Sequence, residues 1–161
     1  MQFQVKPTTV SLYDTDYQQW LDATVQQLKS CNFDNLDREN LIEEIESLGK
    51  RDKRALSSYL MRLCEHLLKL NYWTIERERN FSGWDLEVTN FRLQIQSLLS
   101  DSPSLRSYLQ ARFDIEYKNG RKLFLKASGL RFEIVSEEPV FTLEQALDED
   151  WLPWSPSPKQ Q

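Results

Sequence analysis

Asp37-Arg-Glu-Asn-Leu-Ile-Glu-Glu-Ile-Glu-Ser-Leu-Gly-Lys-Arg-Asp-Lys-Arg-Ala-Leu-Ser-Ser-Tyr-Leu-Met-Arg-Leu-Cys-Glu-His-Leu-Leu-Lys-Leu-Asn-Tyr72 is the stretch that decides the fold. Within it Leu41, Ile45, Leu48, Leu56, Tyr59, Leu60, Leu63, Leu67 and Leu70 recur at helical spacing, which sets one face of an α-helix against a core. Asp37 is an N-cap, Leu36 before it is placed to staple onto Leu41, and Glu39, Glu43 and Glu44 suit the positive end of the helix dipole. As one straight rod, residues 38–72 would span about 52 Å, against a diameter of about 40 Å for a compact chain of this size. Gly49, followed by Asp52 as a second cap, marks the expected break or kink at 47–52.

The composition points the same way. With 161 residues and four glycines, and with Leu, Glu, Gln, Lys and Arg outnumbering β-branched alternations, the expected fold is all-α. The expected form is a single-domain bundle of four to five main helices, with a short C-terminal helix and an aromatic tail. The expected organisation is a flexible arm over 1–12, a helical domain over 13–154 and a disordered tail over 155–161. A net charge of −5 makes a nucleic-acid partner unexpected. Cys31 and Cys64 have no metal or disulfide spacing and read as free thiols of a cytoplasmic protein. No run approaches the length of a membrane span, and no membrane association is expected.

Around the long stretch, Tyr13 to Tyr17 offers caps for a helix ending near Ser30, with Tyr17, Trp20 or Leu21, Val25 and Leu28 as its apolar face. Residues 71–83 read as an extended crossing or an irregular helix end. Ser82 and Asp85 resemble a capping box that opens the next helix at Gly83 and carries it to Ser100 or Asp101. Ser102-Pro103 reads as an N-cap and first helical position, Gly129 as a helix stop, and Gly120 as a site of close packing. Residues 130–141 read as an extended link, and Thr142 to Gln145 as a capping box for a short helix.

Six segments stand in order along the chain: Tyr13-Asp-Thr-Asp-Tyr17, Leu41-Ile-Glu-Glu-Ile-Glu-Ser-Leu-Gly49, His66-Leu-Leu-Lys69, Trp84 with Arg92, Asp101-Ser-Pro-Ser-Leu-Arg106, and Phe141-Thr-Leu-Glu-Gln145 ahead of Asp148-Glu-Asp-Trp-Leu-Pro153. Together they resemble a bacterial family of uncharacterised helical proteins, common in cyanobacteria and known as domain of unknown function number 29. The resemblance covers roughly residues 12–153. It implies a compact helical domain and brings no accepted activity, substrate or cofactor. Asn90 stands where relatives often carry an acid, and Thr74-Ile-Glu-Arg replaces a more basic segment.

The chemistry-bearing residues are few. His66 is the one histidine and shares a face with Tyr59, Leu63 and Leu70, the placement of a structural core histidine or of a titrating one. Glu43 and Glu44 lie over 30 Å from it along a helix of about 1.5 Å per residue. Partners for His66 must therefore come from other helices, and if the chain reverses through 73–82 a polar pair with Glu87 or Asn90, with Arg92 nearby, becomes geometrically possible. One histidine and one carboxylate fall short of a zinc ligand set, so no metal site and no cofactor are expected. Lys50, Arg51, Lys53 and Arg54 form a basic knob after the glutamates, either a solvated helix surface or a contact for an acidic partner. Trp73, Phe81 and Trp84 cluster at the crossing, either closing one end of the bundle or lining a groove for a partner helix. No phosphate loop, nucleophile elbow or zinc-protease signature is present. The expected function is a non-enzymatic protein-interaction or regulatory module with a protein partner. The alternative is a small hydrolase or nucleic-acid-processing enzyme with a site around His66 and the helix after Ser82.

Overall fold

A computed structural model describes residues 11–157; residues 1–10 of the expected arm and 158–161 of the expected tail lie outside them. Six helices follow in order: α1 Leu12–Thr15, α2 Tyr17–Lys29, α3 Arg38–Tyr72, α4 Arg77–Asp101, α5 Leu105–Ser128 and α6 Leu143–Leu147. There is no strand among the described residues, and the fold is an all-α helical bundle. The chain divides into two compact units, residues 1–49 and 50–161.

The second unit holds nearly all of the core. Leu56, Leu60, Leu63, Leu67 and Leu70 of α3 are fully buried with Val88 and Ile95 of α4 and Leu109, Tyr117 and Phe124 of α5. Gly120 brings α5 against α3, since a methyl on it would lie 2.6 Å from the Met61 carbonyl oxygen and 2.9 Å from the Glu65 nitrogen. Gly129 adopts φ +67° and donates its N–H to Leu125 as the stop of α5, the left-handed conformation that favours glycine. The predicted Thr142–Gln145 capping box is present and opens α6.

Four expectations are corrected. α3 is helical through Gly49 without a break; the five charged residues after Gly49 are compatible with helix, and one glycine costs only about 1 kcal/mol. The crossing shrinks to residues 73–76, because α4 opens at Arg77 and not at Gly83. There the Arg77 guanidinium donates to the Leu70 and Asn71 carbonyls at the end of α3, and the Asn80 side chain donates to Glu76. Ser102 and Pro103 form the turn before α5 rather than its first residues, with Leu105 N–H donating to Ser102. Residues 130–141 fold into successive turns and bends rather than an extended link, pinned by Arg121, which donates to the carbonyls of Phe132 and Val135.

The first unit is built differently. Of its described residues only Trp20 and Thr24 are buried. Tyr13, Tyr17 and Trp20 form an aromatic cluster with ring centroids 4.9–5.8 Å apart. Polar clasps complete it: Tyr13 and Tyr17 donate their hydroxyls to the two oxygens of Glu44, at 2.6 and 2.8 Å, and the Trp20 indole donates to Asp37. The predicted apolar faces of α2 and early α3 are therefore largely open: Tyr17, Val25, Leu28, Ile45 and Leu48 are exposed.

Candidate functional site

His66 lies on the inner side of α3 and is 4% exposed. Its Nδ1–H donates to the Arg62 carbonyl at 2.9 Å, since a carbonyl only accepts, and its ring packs on Phe91 with centroids 5.6 Å apart. Burial lowers its pKa, the Arg62 carbonyl raises it, and Lys69 lowers it further. It is the Phe91 ring, not a side chain of Glu87 or Asn90, that the structure places against His66; Glu87 is half-buried and Asn90 exposed.

Arg92 is 3% exposed, and each of its three guanidinium nitrogens donates a hydrogen bond. Its guanidinium donates to the carbonyls of Ala146 at 2.8 Å, Trp151 at 2.7 Å and Glu149 at 3.4 Å, so it clamps α6 and the terminal segment onto α4. Burial lowers its pKa, and Asp148, Asp85 and Glu149 act in the opposite direction. A pocket of about 290 Å³ beside it is lined by Thr89, Arg92, Leu93, Glu149 and Asp150, without His66. Two carboxylates are buried as well, each on its own helix: Glu65 pairs with Arg62 and with Lys69 at 2.9 Å, and Glu116 with Arg112 and Asn119. No group of three or more His, Cys, Asp or Glu is placed to hold a metal ion among the described residues.

The aromatic crossing is occupied by the chain's own side chains. Trp73 stacks on Trp84 with centroids 5.5 Å apart and meets the Phe124 edge at 6.1 Å, while Lys69 lies over Trp84. Trp154 of the terminal segment stands edge-on to Phe81 at 5.9 Å, with Arg77 on its face at 4.3 Å. In the basic run, Lys50, Arg51 and Arg54 are exposed, and Arg54 donates to the Lys50 carbonyl.

The surface that stands out was not singled out from the sequence. On α3 within the first unit, Ile42, Ile45 and Leu48 are 58%, 60% and 52% exposed. Steps of three keep them within about 120° of one another around the helix, so they form one apolar row. Glu39, Glu43 and Glu46, at i, i+4 and i+7, make an exposed acidic row beside it. Glu44 projects on the opposite flank, where α1 and α2 hold it through Tyr13 and Tyr17. Elsewhere in the first unit Val25, Leu28 and Phe33 are also exposed. The signal available in the sequence was Ile42, which widens the apolar stripe of Leu41, Ile45 and Leu48.

No helix among the described residues is long and apolar enough to cross a membrane. No curated protein and no solved structure matches the chain. Residues 12–152 match the model of the family described as Domain of unknown function DUF29, and the chain belongs to that family.

Proposed function

We propose that this member of the DUF29 family is a non-enzymatic interaction module, acting in the cytoplasm, that docks another protein on the first unit. The observation that carries this is the exposed row Ile42, Ile45 and Leu48, which leaves three large aliphatic side chains half or more in water on a helix whose next 20 residues bury theirs. Covering such a row on binding gains about 25 cal/mol per Å² of apolar area before the costs of association. Central, desolvated aliphatic and aromatic anchors carry most of the affinity of protein interfaces.

The enzyme reading has less support in the geometry. His66 is covered by Phe91 and spends its one N–H on a carbonyl, and Arg92 is buried with each guanidinium nitrogen donating to a carbonyl of α6 or the terminal segment. A general acid or base needs reach to a substrate, and an anion-binding arginine needs free donors.

The test is site-specific photocrosslinking in native cytosol. A photoreactive phenylalanine analogue at position 45 is expected to yield a discrete adduct that the same group at exposed Lys122 does not. Identical patterns at the two positions, or none at either, would count against docking.

A further inference from the structure

We infer that the partner seated on this face is a basic amphipathic helix of another protein; the inference rests on the docking proposed above and adds the chemistry of the occupant. Charge carries it. Residues 1–49 hold nine of the chain's 25 acids and three of its 20 bases, a formal −6, while the remaining residues come to +1. The whole net charge of the chain is thus concentrated in the unit that also exposes the apolar row.

The distribution within the unit is directional. Ile42 to Leu48 spans about 9 Å of helix axis, the length over which a crossing helix packs two turns of its own apolar stripe. Along one flank of that row stand Glu39, Glu43 and Glu46, all exposed. A helix laid into the row meets these carboxylates with the residues bordering its stripe, and lysine or arginine there is complementary while glutamate is repelled. Two copies of this unit would bring −6 against −6, which disfavours a symmetric pairing through this face. Anionic lipid and nucleic-acid phosphates are repelled for the same reason.

The experiment uses the full chain and two synthetic helical peptides of about 20 residues, long enough to hold a helix. Both carry the same leucine stripe; one has lysine and the other glutamate at the positions bordering it. Fluorescence anisotropy should show the lysine peptide binding at least tenfold more tightly, with affinity falling several-fold as salt rises from about 50 to 300 mM. The triple variant Glu39→Gln, Glu43→Gln, Glu46→Gln should erase that preference, and Ile45→Ser should weaken both peptides. Equal binding of the two peptides, still lost in Ile45→Ser, would overturn the basic partner and leave the docking face standing. Binding of neither, or a concentration-dependent dimer by sedimentation that Ile45→Ser abolishes, would overturn the inference in favour of another occupant.

Discussion

Gly120 and Met61 approach so closely that a side-chain methyl on the glycine would fall 2.6 Å from the Met61 carbonyl oxygen. The obstacle is backbone, so it cannot swing away. Gly120→Ala gains about 1 kcal/mol of helix propensity but forces α3 and α5 apart, at a cost of about 1–3 kcal/mol for overpacking. Net destabilisation in urea unfolding is expected. Gly49→Ala is the control, because a Cβ there meets nothing within 4 Å; it should stabilise by about 1 kcal/mol.

Arg92 holds three carbonyls of residues 146–151 to α4. Arg92→Met keeps the apolar stem and removes every donor, leaving carbonyls without partners. A loss of about 3 kcal/mol is expected, accompanied by faster hydrogen exchange in α6. Unchanged exchange there would show that the aromatic contacts of Phe141 and Trp151 suffice.

The long helices and their inner faces were legible because α3 beyond Leu56 keeps one leucine stripe for four turns, and because Gly129 and the Thr142–Gln145 box are local signals that fix local geometry. The start of α4 was not, since Arg77 reaches back to carbonyls of α3 and no pattern within residues 73–83 records that partner. Chain reversal brings the neighbourhood of residues 87–91 to His66, but which of them meets it depends on how α4 packs on α3, and Phe91 is the one whose ring does. The open face of α3 was misread as core because amphipathic spacing states which side is apolar and not whether the rest of the chain covers it.

His66 supplies a pH dependence with a definite sign. Its folded pKa is lowered, first by burial, so the unfolded state takes up a proton at about pH 6.5 that the folded state resists. The associated stability is present above pH 6.5 and is lost as pH falls through the folded pKa. Urea midpoints measured between about pH 7.5 and 5 should decline less steeply in His66→Asn than in the parent.

Tyr13 acts at the other end of the scale. Its hydrogen bond to Glu44 pushes its pKa up to about 12, and burial does the same for Tyr117. For a raised pKa the contribution to folding is intact below about pH 10 and lost as pH rises through about 12. Ultraviolet titration should show Tyr13 and Tyr117 ionising late. In Glu44→Gln one of them should return towards 10.

Ile45→Asp tests the docking face most directly, because the side chain is 60% exposed and its loss removes little buried area. Stability should change by less than about 0.5 kcal/mol, as for surface substitutions generally, while the crosslinked adduct formed from a photoreactive group at neighbouring position 42 disappears. A variant that unfolds several kcal/mol more easily would show that Ile45 serves the fold, and a variant of parent stability that keeps the adduct would show that the apolar row of α3 is not where the partner binds.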